Sequence, residues 1–156
     1  ETIPLLDNQG LGLLVWSPLA GGFLSGKFSR RGSSDPDARR ATFKFPPVDE
    51  TRGFDIIDAM RPIAQVHHAS IAQVALAWLL AKRAVTSIII GAKKMGQLDD
   101  NLGAIDLELT NEEMTRLDEV SATPVPYPAW MLSLGDDRLP GTARDLAALL
   151  KKSDNN

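Results

Sequence analysis

The residues best suited to chemistry in this chain are those that could hold an anion. An apolar run, Leu13 to Trp16, stops at Ser17-Pro18 and opens into a loop carrying Gly21, Gly22, Gly26 and Lys27. Glycines let backbone amides approach an anion closely, and Lys27 adds a positive charge. A tight turn with no ligand has the same composition, so both readings stand on spacing alone. A second place resembles the first in its physics. Lys93 and Lys94 follow the apolar run Ile88 to Ile90 and stand where the pattern opens a short helix. Cations are unfavourable at a helix N-terminus unless an anion is bound among them and the amides. Two solvated lysines are the plain alternative.

Other chemistry finds less support. The two histidines, His67 and His68, are adjacent and cannot face one ligand from a helix, which argues against a metal site. They read as a helix junction with one ring partly packed. No serine stands in a nucleophile elbow, and a hydrolytic triad lacks its base. The carboxylate pairs Asp99–Asp100 and Asp136–Asp137 are consecutive and read as solvated. Tyr127 is the only tyrosine and sits among Pro124, Pro126 and Pro128 with no lysine near it in sequence. No catalytic residue is assigned. The chain reads as a binding portion.

The elements that must position these loops follow from periodicity. Residues 1–10 suit a short helix with Ile3, Leu5 and Leu6 on its apolar face and Gly10 as C-terminal cap. Leu13 to Trp16 suits a strand buried on both faces, ended by Pro18. Residues 29–53 read as a long loop, with positive charge gathered at Arg39, Arg40 and Lys44; such loops serve as lids or clamps, or are simply solvated. Residues 54–67 have helical spacing, with Pro62 expected to kink or divide the helix. Ser70 and Gln73 form a capping box for a helix running to about Arg83, with Trp78 in the core. Thr86 to Gly91 is a second strand, so strand, helix and strand make a βαβ unit with parallel strands. A short helix over 97–102 should turn Leu98 and Leu102 inward. Thr110 and Glu113 cap a helix to about Val120, with Met114 and Leu117 inward. Residues 122–140 read as irregular, Thr142 to Leu150 as a short helix, and Lys151 to Asn156 as a fraying end.

Composition narrows the class. A chain of 156 residues, 44% hydrophobic and 24% charged, is ordinary for a globular protein. A net charge of −3 and a pI near 5.3 argue against a nucleic-acid partner. No apolar run approaches the roughly 20 residues that cross a bilayer, and no secretory leader is visible, so no membrane role is expected. The absence of cysteine excludes disulfides and thiolate sites and suits a reducing, cytoplasmic setting. The chain opens at Glu1 rather than methionine and reads as a piece of something longer.

Trp16-Ser17-Pro18-Leu19-Ala20-Gly21-Gly22 with Ser25-Gly26-Lys27 resembles a segment of the aldo-keto reductase family. Gly91-Ala92-Lys93, Gln97-Leu98 and Asn101-Leu102-Gly103-Ala104 resemble a second, in the same order and roughly 65 residues on. Tyr127-Pro128-Ala129-Trp130-Met131 is similar to C-terminal tails of bacterial members. The resemblance implies an α/β fold, a portion of a (β/α)8 TIM barrel comprising strands seven and eight with their helices and C-terminal tail. Residues 1–131 would be the C-terminal part of the barrel, and 132–156 a tail with a short helix. It implies NADPH (NADP) as cofactor and a small carbonyl substrate reduced by hydride transfer. Trp16 matches the aromatic that stacks on the nicotinamide ring. Ser17, Pro18, Leu19, Ala20 and Gly21 match the loop beside the pyrophosphate, with Lys27 just beyond it. Arg40 resembles an arginine of the mobile loop that clamps the cofactor. Gly91, Ala92 and Lys93 match the segment near the adenosine 2′-phosphate, and Gln97, Asp100 and Asn101 match residues that hold the phosphate and adenine. Where Gln97 stands some relatives carry arginine, so the 2′-phosphate grip would fall on Lys93, Lys94 and Arg40. The family's aspartate, tyrosine, lysine and histidine tetrad comes from earlier strands, which this chain lacks. The chain alone would therefore bind rather than catalyse, and its open sheet edges would need the missing N-terminal portion or a second copy as cover. A non-catalytic nucleotide-binding or regulatory module, like members that serve as channel subunits, and a self-associating half-barrel are the rival readings.

Overall fold

The computed structural model describes residues 2–30, 32–33, 40, 43–125, 127–128 and 130–131. Its central feature is a pair of parallel strands, β1 (Leu13–Trp16) and β4 (Val85–Ile89). Leu14 stands beside Ser87, Val15 beside Ile88 and Trp16 beside Ile89. The helices α2 (Glu50–Val66) and α3 (Ile71–Leu80) lie in the connection between them. This is the βαβ unit that the sequence predicts. Ahead of β1, helix α1 (Thr2–Gln9) ends at Gly10, whose φ of 62° lets the Leu11 amide return to the Leu6 carbonyl at 2.9 Å.

The strand is not buried on both faces. Leu13 and Val15 are half-buried, while Leu14 and Trp16 are each 61% exposed and Ile89 is 49% exposed. Among the described residues the sheet has two strands, and α3 packs against β4. Ile3 and Leu5 of α1 are exposed as well.

Some described residues of the long excursion after β1 form regular structure. Two short strands, β2 (Phe28–Ser29) and β3 (Gly32–Ser33), pair antiparallel. Helix α2 starts four residues before the predicted Phe54, because the Asp49 side chain accepts the Arg52 amide at 3.2 Å and caps the first turn. Pro62 does not divide it. The break comes at His67 to Ala69, where His68 adopts φ 51° and the Ala69 amide closes on the Ala64 carbonyl at 2.9 Å. Helix α3 leaves at 97° to α2. The capping box forms as expected: Ser70 Oγ accepts the Gln73 amide at 3.1 Å, and Gln73 Oε1 accepts the Ser70 amide at 2.9 Å. The helix ends at Leu80, short of the predicted Arg83.

Helix α4 (Met95–Leu102) begins two residues before the predicted Gln97, and its inner face differs from the apolar reading. Leu98 is half-buried, but Leu102 is 47% exposed and Asn101 takes the buried position at 8%. A short 3₁₀ turn (Gly103–Asp106) leads towards α5 (Asn111–Ser121), whose Thr110–Glu113 capping box is present. Ile57, Met60, Ile63 and Ala64 of α2 meet Val74 and Ala75 of α3 and Leu117 of α5 in the core. Trp78 is half-buried: its Nε1 donates to Asp118 Oδ1 at 2.7 Å, and Lys82 lies 4.7 Å from its ring centroid.

At the α2–α3 junction one histidine packs and the other stays exposed, as predicted. His67 Nε2 meets both carboxylate oxygens of Glu113 at 2.9 and 3.0 Å. Burial raises the Glu113 pKa, but the Thr110 amide and His67 outweigh it and hold the carboxyl below its ordinary 4.5. A group so depressed stabilises the fold above 4.5, and that contribution disappears as pH falls through the folded value. Stability should therefore drop on acidification below about 4.5. Glu113→Gln should lose about 0.5–1 kcal/mol near pH 6 and show a flatter acid limb in chemical denaturation. An unchanged pH profile in that variant would refute the assignment.

The chain divides into two units, Thr2–Ala122 and the residues from Thr123 on. In the latter, the Met131 amide closes a turn on the Pro128 carbonyl at 2.9 Å. The predicted helix at Thr142 to Leu150, the end at Lys151 to Asn156, and Asp136–Asp137 lie outside the described residues. No single helix among the described residues is long and apolar enough to cross a membrane.

Candidate functional site

Because β1 and β4 are parallel and in register at Trp16 and Ile89, their carboxyl ends lie side by side and both loops leave from the same edge. In open α/β sheets that edge is where ligands bind. The first loop is folded tightly upon itself. Ser17 sits at φ 55°, with its carbonyl accepting the Ala20 amide at 2.8 Å and its Oγ accepting the Gly21 amide at 3.1 Å. The Leu19 carbonyl accepts both the Gly22 and the Leu24 amides. The amides at 20, 21, 22 and 24 are thus engaged inside the loop. This corrects the picture of an open amide cradle. The loop offers a rigid edge, the Ser17 hydroxyl and the exposed Trp16 indole.

Phe23 anchors this loop and was not singled out from sequence. Its ring is 2% exposed, stacks on Phe28 with centroids 5.7 Å apart, and meets Phe54 at 5.1 Å. A Cβ on Gly53 of α2 would come within 2.4 Å of it, so the helix needs a glycine where the ring lands. An apolar residue inside a glycine-rich loop is the signal that could have revealed it.

The segment of Phe43 to Pro46 folds back onto the loop. A Cβ on Gly21, itself at φ 68°, would lie 2.5 Å from the Phe45 carbonyl oxygen. Phe45 then reaches Trp16, with centroids 6.2 Å apart, and Phe43 follows at 5.9 Å from Phe45. Trp16, Phe45 and Phe43 are all substantially exposed and line the carboxyl end of β1 with aromatic surface. Arg40 lies behind this wall. It is 6% exposed, its Nη1 donates to the carbonyls of Ala20 at 3.1 Å and Pro46 at 2.6 Å, and its guanidinium lies 5.4 Å from the Phe23 centroid.

The second loop is more open. Gly91, Ala92, Lys93 and Lys94 are exposed, and a Cβ at Gly91 or Gly96 would meet nothing within 4 Å. Gln97 Oε1 accepts the Lys93 amide at 3.0 Å, and Lys94 caps α4 without a side-chain hydrogen bond. First-turn amides and two lysines therefore share the helix start, which suits a phosphate. Asp100 and Asn101 are set back. Asp100 Oδ2 accepts the Ser70 hydroxyl at 2.8 Å and Asn101 is buried, so both also help seat α4. Lys27 and Pro18 are half-buried in the first loop's neighbourhood. Among the described residues no three His, Asp or Glu side chains gather as a metal site would require.

Fold and site together define an α/β protein with its candidate site at the carboxyl ends of parallel strands. The chain belongs to the aldo/keto reductase family, whose model matches residues 1–122. Among its relatives, a probable voltage-gated potassium channel subunit beta from Oryza sativa subsp. japonica is 36% identical over 128 residues. That match covers 77% of this chain and 38% of the relative. Aldo-keto reductase str7 of Strobilurus tenacellus is 34% identical, over 78% of this chain and 38% of its own length. An L-glyceraldehyde 3-phosphate reductase of Escherichia coli is 32% identical, over 73% of this chain and 34% of its own length. The chain thus spans less than two-fifths of these relatives.

Proposed function

We propose that the chain is the C-terminal, NADPH-binding portion of an aldo-keto reductase, with β1 and β4 as strands seven and eight of a (β/α)8 barrel. The observation that carries this reading is the parallel register that pairs Trp16 with Ile89, so that the exposed indole and the loop to the lysine-headed start of α4 both stand at the carboxyl end of the strand pair. The donor set fits the cofactor: an aromatic face for the nicotinamide, the Ser17 hydroxyl for the pyrophosphate, and Lys93, Lys94 and first-turn amides for a 2′-phosphate. Bound there, the cofactor supplies the hydride that reduces an aldehyde or ketone. The chain's own residues orient the ring and neutralise phosphate charge. The catalytic tetrad would come from the rest of the barrel, which also covers the exposed face of Leu14, Trp16 and Ile89 and completes a cytoplasmic enzyme.

NADPH titration should quench tryptophan fluorescence in a saturable way. Lys93→Ala should weaken NADPH about tenfold and leave NADH within about twofold, because only NADPH carries the 2′-phosphate. Equal losses would defeat that role. The names of the rice relative and of a similar subunit from Arabidopsis thaliana, 34% identical over 111 residues, favour a second reading as a non-catalytic regulatory module. Aldehyde-dependent NADPH oxidation by the complete protein separates the two.

A further inference from the structure

We infer that Arg40 is a positioning residue, a buried clip that docks the segment of Phe45 and Pro46 on the glycine loop and acts on the nucleotide only through that loop. The inference rests on the nucleotide reading above, but its geometry stands apart from it. Exposed arginines that grip phosphate present their fork to solvent. Arg40 instead is 6% exposed, with Nη1 shared between one carbonyl from each of two segments, Ala20 at 3.1 Å and Pro46 at 2.6 Å. Ala20 sits at φ 50°, a conformation that alanine avoids, and the Arg40 bond to its carbonyl helps hold it there. On the other side of the clip, the Phe45 carbonyl presses on Gly21 so closely that no Cβ fits between them. The same docking sets Phe45 against Trp16 at 6.2 Å. Below, the guanidinium covers Phe23, the residue that roots the loop in the core. One cation thereby ties together the loop, its anchor and the segment that carries the aromatic wall. A direct phosphate ligand would need a turned-out fork; a clip would not.

The experiment uses the complete protein as wild type, Arg40→Ala and Gly21→Ala. The glycine variant reaches the same end by another route, since its methyl wedges the Phe45 carbonyl away while leaving Arg40 in place. Without nucleotide, limited proteolysis within residues 43–49 should run about fivefold faster or more in both variants, because local opening sets the cleavage rate. NADPH affinity should fall about tenfold in both, with its dependence on salt the same as in wild type, because no charge on the ligand has lost its partner. Wild-type cleavage in Arg40→Ala without nucleotide, or NADPH binding that has become less sensitive to salt, would overturn the clip in favour of a phosphate ligand. If Arg40→Ala does not fold, the Gly21→Ala comparison decides: an undisturbed segment there defeats the proposal. Failure of the wild type to bind NADPH would sink the nucleotide reading, while the proteolysis comparison still decides whether Arg40 docks the segment.

Discussion

Ile57→Ala should lower stability by about 3 kcal/mol and the thermal midpoint by about 10 °C. Ile57 is fully buried on the face of α2 that meets α3 and α5, among Met60, Val74, Ala75 and Leu117. Truncation removes three carbons from water-excluded packing and leaves a cavity whose walls are helices already in contact. The effect should reach the site, because Phe23 belongs to the same core and roots the glycine loop. Val66→Ala on the same helix is the control. Val66 is 73% exposed, and its truncation should stay within about 0.5 kcal/mol. Denaturant melts of the two variants, compared at constant slope, test the claim; a loss below about 1 kcal/mol at Ile57 would mean that the helices close over the gap.

Trp16→Ala should weaken nicotinamide-dinucleotide binding about tenfold, while Trp16→Phe should keep most of the affinity. The indole is 61% exposed at the end of β1, so the folded chain gains little by burying it. A ligand ring lying on it would recover an aromatic contact worth about 1 kcal/mol beyond its area. Isothermal titration of both variants in the complete protein measures this. Equal affinity in wild type and Trp16→Ala would remove the indole from the site.

What the sequence disclosed was local chemistry. Ser70 with Gln73 and Thr110 with Glu113 gave two helix starts, because each box satisfies its amides with residues three apart. The two strands and their parallel pairing followed from β-branched and apolar runs separated by helix. The burial of the strand faces was misread. A continuous apolar run such as Leu13 to Trp16 says that both faces can be buried, not that the neighbours are there to bury them. At the site, the spacing put Trp16 at the end of a strand and the glycines and lysines after the strand ends, where the structure has them. It could not show that the loop's amides would turn inward, since that depends on Ser17 Oγ and the Leu19 carbonyl finding them in space. Nor could it show Asn101 replacing Leu102 on the inner face of α4, a matter of helix phase once the start moved to Met95. Arg40 was visible as a cation and silent about its burial.

The contact between Gly53 and Phe23 has an evolutionary consequence. With 2.4 Å between the missing Cβ and the ring, the two positions divide one fixed volume between them. Within the family, substitutions at the two sites should be correlated: an alanine or serine on the helix should accompany a smaller residue in the loop, and a bulky loop residue should accompany glycine. A pair that enlarged together would have to lift the glycine loop off α2, so this single point of crowding restricts which loops can be grafted onto this helix.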